Sequence, residues 1–434
     1  MTSIAGLAGA APPDPRSPWR LSSAMGHGGP LALAAHRATF PAPPVPAGRA
    51  DLRIVEAVER SGLRGRGGAG FPTGTKMRAV ATRPGPAVVV ANGSEGEPAS
   101  RKDKTLLIQA PHLVLDGLLL AAGAVGASEA VIAVERGTRA LPAVRAALAE
   151  RGAEAGVAVR VVEVPRHYVA GEETALVHLV NGGDARPTRT PPRPFERGVR
   201  GRPTMVGNVE TFAHVAMILR WGAAWFRALG TDDEPGTALV TVTGAVARPG
   251  VLEVPLGTPL ARVVEAAGGP TTGVQAVLLG GYYGTWIGRE QARSAALADS
   301  HLRPLGASVG CGAVVVLGDD ACGLTETANV LTWMAGETAG QCGPCVHGLA
   351  AVAGAMEDVA AGRAGFAMLQ RLHRWAGQIE GRGACRFPDG AVRLLRSALA
   401  VFERDLADHV RRTPCPGAGG PAQLPIPVRG DAWR

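Results

Sequence analysis

AVVVANGSEGEP, residues 87–98, is the stretch on which the fold turns. Residues 87–91 are apolar without interruption and have the length of a strand buried on both faces. Residues 92–98 are polar and turn-forming. Outward from there, Pro111 opens a helix reaching about residue 126, residues 131–134 form a second buried strand, 138–151 a helix, and 157–164 a third strand. Strands alternating with helices argue for a parallel α/β sheet with helices on its faces. Ligands of such sheets sit beyond the carboxyl ends of the strands. Asn92, Glu95 and Glu97 fall there. Two further helices, 171–180 and 208–229, close this region. Upstream, Asp51 caps a short amphipathic helix that stops at Ser61-Gly62.

From residue 237 the rhythm changes. Short strands at 238–243, 251–254, 276–279 and 313–317, with one helix at 260–267, suit a small α+β module. Helical patterns then run over 324–335, 345–361, 366–379 and 390–410, as in a C-terminal bundle. The expected divisions are 1–46 as a flexible arm, 47–230, 236–320, 321–412, and 413–434 as a tail.

Composition narrows the function classes. Apolar residues make up 46% of 434, which excludes wholesale disorder. Gly and Pro are abundant but without a triplet period, which excludes collagen. The longest apolar stretch, 113–127, is cut by Asp116 and glycines and is too short to span a membrane. Direct membrane insertion is not expected. The formal charge of +8 points away from nucleic acid once its make-up is considered, because only Lys76, Lys102 and Lys104 are lysines and the arginines are spread evenly. No cationic, apolar leader pattern opens the chain, so the expected compartment is the cytosol, where six cysteines read as metal ligands or free thiols.

Four clusters carry chemistry. Gly65-Arg66-Gly67-Gly68-Ala69-Gly70-Phe71-Pro72-Thr73-Gly74 frees backbone N–H groups to approach phosphates, with Arg66 and Lys76 adding charge. It contains G-x-G-x-x-G but follows a helix, not the strand that a dinucleotide fingerprint requires. The second cluster is residues 92–98. The third is Tyr168 with Gly171, Glu172, Glu173 and Thr174; alone, two carboxylates opening a helix are explained by the helix dipole. The fourth is Cys342-Gly-Pro-Cys345 with Cys385, a donor set for a metal or cluster between helices. Cys311, Cys322 and Cys415 show no partner at useful spacing. They read as two small buried hydrophobes and a tail thiol.

SGLRGRGGAGFPTGTK (61–76), N-x-x-E-x-E-P (92–98), YxxGEETAL (168–176), RPTMVGNVET (202–211) and GQCGPC (340–345) together resemble the NADH-binding flavoprotein subunit of respiratory complex I, a subunit shared with NAD-linked hydrogenases and formate dehydrogenases. The resemblance spans roughly residues 50–411. It implies a Rossmann-like domain for FMN and NADH, a β-grasp module of the soluble ligand-binding type, and a helical bundle carrying a four-iron cluster. Gly65, Arg66, Gly67 and Lys76 would line the flavin phosphate and nicotinamide side, and Gly68, Ala69 and Phe71 would contact the dinucleotide. Asn92, Glu95, Tyr168, Gly171, Glu172, Asn208 and Thr211 match flavin-site positions; Glu97 and Glu173 match positions near NADH. The implied chemistry is hydride transfer from NADH to FMN, then single electrons through an iron–sulfur site to a ferredoxin-like, thioredoxin-like or quinone-linked partner, the protein supplying position and electrostatics. Such a chain would be cytoplasmic or peripheral on a membrane complex. The alternative is a nonenzymatic paralogue serving assembly or ligand binding.

Three departures from the family pattern stand out: Ser94 for Asp, Gly207 for Asn, and Ala339 for the first Cys of C-G-x-C-x-P-C. Three cysteines leave a cluster with an open or non-cysteine fourth corner, a three-iron cluster, a zinc, or nothing. The reading taken is an iron–sulfur cluster on Cys342, Cys345 and Cys385. His347 is a poor substitute, because residues two apart on a helix face nearly opposite ways.

Overall fold

The computed structural model describes residues 14–25, 29–41, 50–152, 157–413, 415–420, 422–427 and 432–433. A short helix, α1 (Leu33–Thr39), comes first; α2 (Leu52–Ser61) and α3 (Thr73–Ala81) then flank the glycine-rich loop. Asp51 caps α2 by accepting the Arg53 N–H at 3.0 Å. Gly62 ends the helix at φ +72°, a left-handed conformation that glycine adopts without strain. Helix α3 is absent from the sequence reading because TGTKMRAVA carries too weak an apolar stripe.

The strands and helices expected around residues 87–164 form. They are β1 (Ala87–Gly93), α5 (Pro111–Val125), β2 (Ala127–Glu135), α6 (Ala140–Arg151) and β3 (Val159–Val164). The sequence reading does not include α4 (Lys102–Gln109), which stands between β1 and α5, and the run continues with α7 (Glu173–Val180), β4 (Thr204–Asn208), α8 (Val209–Trp221) and α9 (Ala223–Arg227). The four strands pair in parallel in the order β3-β2-β1-β4. Val89, Ala91, Ile132 and Val134 pack toward α5 and α8, while Val88, Val90, Val131 and Ala133 pack toward Leu176 and Val177 of α7. Every residue of α5 is buried, so its unbroken apolarity reflects a core position. Among the described residues no single helix is long and apolar enough to cross a membrane. The expected helix at 208–229 is two helices, broken at Gly222 with φ +91°.

The second sheet contains β5 (Thr237–Gly244), β6 (Gly250–Pro255), β7 (Val274–Leu279), β8 (Thr285–Gly288) and β9 (Ala313–Gly318), with α10 (Leu260–Ala266), α11 (Arg289–Ser294) and α12 (Asp299–Leu302) in its connections. Its order is β6-β5-β9-β7-β8, and only β5–β9 is a parallel pair. Val240, Val242, Val314 and Val316 face α10. Ala276, Leu278, Val315 and Leu317 face the C-terminal helices α13 (Gly323–Gly336), α14 (Ala350–Ala360), α15 (Phe366–Ile379), α16 (Phe387–Val401) and α17 (Glu403–Val410). A π-helical turn, Pro344–Leu349, leads into α14. The helix expected at 390–410 starts at Phe387 and breaks at Phe402.

The terminal segments depart from the flexible arm and tail read from composition. Much of residues 1–46 lies outside the described residues, but the described parts are packed. Arg20 is buried, its guanidinium donating to the Trp225 and Phe226 carbonyls, each at 2.7 Å. The backbone N–H groups of Arg20, Leu21 and Ser22 donate to the Glu253 carboxylate on β6. His36 of α1 lies 2.8 Å from Asp116 of α5. At the other end, Leu424 is buried, and Trp433 stacks on His167 at 3.8 Å between ring centroids. These contacts are all long-range, so no local periodicity announces them.

Candidate functional site

The carboxyl ends of β1, β3 and β4 open on one cavity of about 730 Å³, at the upper end of the range of small-molecule sites. All sixteen candidate cofactor residues line it: Gly65, Arg66, Gly67, Gly68, Ala69, Phe71, Lys76, Asn92, Glu95, Glu97, Tyr168, Gly171, Glu172, Glu173, Asn208 and Thr211. The glycine-rich loop is pinched at its neck, where the Gly65 N–H donates to the Phe71 carbonyl at 2.9 Å and the Thr73 N–H to Leu63 at 2.9 Å. Gly68 and Gly70 have φ +113° and +60°, so this turn disfavours residues with side chains. Phe71 is half exposed beside the cavity.

Helix N-termini converge on the cavity, and several candidate residues are their caps. Glu95 accepts the Asp103 and Lys104 N–H groups at the start of α4, each at 3.1 Å, and the Ser100 hydroxyl at 2.5 Å. Glu172 accepts the Thr174 and Ala175 N–H groups at 2.9 and 3.1 Å and so caps α7. Asn208 caps α8 through the Glu210 N–H at 3.0 Å, while its amide donates to Asp103 at 2.7 Å. The Asn92 amide donates to the Gly171 carbonyl at 2.8 Å, tying the second and third clusters together.

Charge is distributed differently from the sequence reading. Arg66 lines the cavity, but its guanidinium donates to the Thr237 and Pro235 carbonyls at 2.9 and 3.4 Å and lies 4.0 Å from Glu210. Its backbone N–H donates to Thr211 Oγ1 at 2.9 Å. Lys76 is a partly exposed cation, with Nζ 3.1 Å from the Val206 carbonyl and 3.7 Å from Glu173, and Arg386 and Arg393 line the cavity as well. The sequence reading also missed a buried cation. Lys102 is buried on the cavity wall, 2.7 Å from Asp103 and 2.8 Å from Glu210. Burial opposes its charge, but the two carboxylates outweigh burial and hold the ammonium above its usual range. Asp103 is itself pushed up to about 6 by burial, against the pull of Lys102.

Glu97 is held by the Tyr168 hydroxyl at 2.7 Å, the Tyr282 N–H at 2.8 Å and the Ala99 N–H at 3.1 Å. Burial raises its carboxyl to about 7 despite these donors. Tyr282 belongs to the loop after β7, so Glu97 links the two sheets. Cys311 also faces the cavity, its thiol donating to the Gly280 carbonyl at 3.3 Å. Nothing in its spacing announced that position.

Cys342, Cys345 and Cys385 converge on a neighbouring void of about 10 Å³, lined also by Thr338, Ala339, Gln341, Val169, Ala384 and Phe387. His347 does not line it. Burial, together with the neighbouring Cys342 and Cys385 sulfurs, pushes the Cys345 thiol up to about 12. Three soft donors that disfavour each other's ionised forms suit a positively charged iron–sulfur group, with Ala339 supplying no fourth ligand. Cys385, Val169 and Phe387 line both this void and the large cavity, so a single layer of side chains separates them.

Together, a parallel sheet ending in a glycine-walled cavity and a thiol cluster one side chain away define a redox cofactor protein. Residues 58–217 match the family described as the Nuo51 FMN-binding domain, residues 325–409 the NADH-ubiquinone oxidoreductase-F iron-sulfur binding region, and residues 239–281 the SLBB domain. The second NADH-quinone oxidoreductase F subunit of Rhizobium meliloti (strain 1021) is 35% identical over 380 residues, which cover 84% of this chain and 90% of that protein. The F subunit of Aquifex aeolicus (strain VF5) is 33% identical over 383 residues, covering 83% and 86%. Among solved structures, an NAD+-reducing NiFe hydrogenase in its H2-reduced state superposes with a TM-score of 0.76 at 35% identity, over 82% of this chain and 62% of the hydrogenase chain. The chain thus spans less than two thirds of that hydrogenase chain. It belongs to the family of NADH-quinone oxidoreductase F subunits, NADH-oxidising flavoenzyme subunits that carry FMN and iron–sulfur chemistry.

Proposed function

We propose that the large cavity takes FMN and NADH together, and that electrons leave toward an iron–sulfur group on Cys342, Cys345 and Cys385. The observation that carries this reading is the shared wall of Cys385, Val169 and Phe387 between cavity and thiol void. Bound flavin supplies the hydride acceptor and the passage from two-electron to one-electron chemistry. The chain's own part is positioning. The turn at Gly67, Gly68 and Ala69 offers backbone N–H groups to phosphate, with Lys76 as an accessible cation beside it. Asn92, Tyr168, Asn208 and Thr211 stand rigid on capped helices and strand ends, and the exposed ring of Phe71 offers an apolar face to the dinucleotide. Glu97 and Glu173 border the nicotinamide side; no side chain need act as acid or base.

On this reading residues 47–230 are the FMN/NADH domain, 236–320 a β-grasp module of the soluble ligand-binding type, and 321–412 the iron–sulfur bundle. The mixed sheet with its parallel β5–β9 pair, packed on α10, supports the second assignment. The electron acceptor is a ferredoxin-like or thioredoxin-like iron–sulfur subunit, and the site of action is the cytoplasm, at most peripheral to a membrane. The test is spectroscopic. The chain purified with added FMN should show the flavin absorption band and lose it on anaerobic addition of NADH. A folded protein that takes up no FMN, or keeps the band in NADH, leaves the reading of a nonenzymatic assembly module.

A further inference from the structure

Two cysteines without expected partners meet at a histidine. Cys322 is the N-cap of α13, where its Sγ accepts the Thr325 N–H at 3.4 Å, an environment that favours thiolate. His409 on α17 is fully buried, with Nε2 3.7 Å from Cys322 Sγ. Its Nδ1 lies 2.7 Å from the Ala360 carbonyl. A carbonyl only accepts, so Nδ1 carries the proton and Nε2 carries the lone pair, 3.7 Å from the Cys322 sulfur. The Cys415 N–H, 3.1 Å from Nε2, fixes the same tautomer. Cys415 Sγ completes the group. The three ligand atoms lie within 4.8 Å of one another, the one such group of three His, Cys, Asp or Glu ligands among the described residues. Cys322 and Cys415 are therefore neither inert packing nor a loose tail thiol.

The spacing fits one ion. Zinc takes thiolate at about 2.3 Å and imidazole at about 2.0–2.1 Å, so a tetrahedral site separates sulfur and nitrogen by about 3.5 Å. The Cys322–His409 separation is 3.7 Å. The Ala360 carbonyl is the orienting partner that metal-bound histidines commonly have. We propose that Cys322, His409 and Cys415 form a site for one thiophilic divalent ion of the zinc class. The two thiols lose their protons to solvent on binding, the ion takes the Nε2 lone pair now engaged by the Cys415 N–H, and water fills the fourth corner.

The ion would clip the C-terminal segment to the start of α13. That segment already lies along the same helix, with the Gln423 and Leu424 N–H groups donating to Glu326 at 2.5 and 3.2 Å. Beyond it the Tyr282 hydroxyl donates to the Pro425 carbonyl at 2.5 Å. The site is separate from the Cys342, Cys345 and Cys385 group, and its test removes that group deliberately. The full chain carrying Cys342→Ser, Cys345→Ser and Cys385→Ser is loaded with Zn2+, desalted and analysed for metal. It should retain about one zinc per chain, falling at least about tenfold when Cys415→Ser is added. Co2+ in its place should give tetrahedral thiolate–cobalt bands that the same change abolishes. Cys415 is only partly buried, and circular dichroism checks that its variant folds; Cys322→Ser serves as the second variant. Zinc that is not retained by the triple variant, zinc retained after both Cys322→Ser and Cys415→Ser, or a Cys322–Cys415 disulfide in protein isolated under reducing conditions would each overturn the site.

Discussion

Glu97 is a carboxylate under three donors and nearly out of reach of water, and its burial outweighs those donors. Its folded value of about 7 stands above the ordinary 4.5, so the fold favours the protonated form. Its stabilising contribution is therefore complete below about pH 4.5 and is lost as pH rises toward 7, above which it stays flat. The loss is on the order of 3 kcal/mol. Denaturant unfolding of ligand-free protein should show that decline between pH 5 and 7, and Glu97→Gln should flatten it; the same slope in the variant would assign the decline to another group. NADH is anionic, so its affinity should also weaken several-fold as pH rises through 7 in the wild type and not in Glu97→Gln. Glu173 is a different case. It is partly exposed, pairs loosely with Lys76 at 3.7 Å, and leaves the capping of α7 to Glu172. Glu173→Gln removes a negative charge from the nicotinamide side, so KM for the anionic NADH should fall by about two- to fivefold, the scale of an exposed ion pair, with flavin content nearly unchanged. Parallel changes in FMN and NADH binding would place the carboxylate at the flavin instead, and no change in either would leave it a helix-dipole residue.

At the scale of elements, the site is built from helix starts. Glu95, Glu172 and Asn208 satisfy the open N–H groups of α4, α7 and α8 while lining the cavity, so the same atoms fix the scaffold and shape the pocket. The polar turn at 92–98, directly after a strand run, is a local pattern that a sequence shows; 168–176 alone reads as a dipole-stabilised helix start, and its place in the site comes from the family resemblance. Strand β4 was not legible, because TMVGN is short and mixes polar with apolar residues, and its identity comes from pairing with β1. The family difference at Gly207 also has a local cause. A Cβ there would lie 2.9 Å from the Phe212 ring one turn into α8, so the ring leaves no room for a side chain at this position. Gly207→Asn alone should lower the melting temperature and the retained FMN, at a cost of about 1–3 kcal/mol from overpacking. Adding Phe212→Ala should recover part of the flavin binding, measured by absorbance per chain. If Gly207→Asn is tolerated with Phe212 in place, the ring is not what holds glycine there.

At the scale of the whole molecule, the three regions are joined by polar contacts that sequence patterns do not encode. Arg66 reaches from the glycine-rich loop to the start of β5, and Glu97 reaches from the first sheet to Tyr282 beyond β7. The described terminal segments add Arg20 on α9 and Trp433 on His167. The cavity is thus a product of assembly, and Cys311 and Tyr283 enter its wall only because those regions dock. The thiol void shares this property, with Cys342 and Cys345 leading into α14, Cys385 just before α16, and Val169 arriving from the first domain. Ala339 lines the void as well, so a sulfur there would face the other three. A four-iron cluster takes one thiolate per iron, and a corner without one is the corner most easily lost. Wild-type protein prepared without oxygen should hold a cluster that loses iron rapidly in air. Ala339→Cys should raise iron from about three toward about four per chain and slow the bleaching in air, because the added thiolate holds the exposed corner. Equal iron content and equal air sensitivity in the two proteins would show that the fourth corner is already held by something else. Zinc without iron in both would remove the cluster from the path, leaving the flavin to pass its electrons straight to a partner.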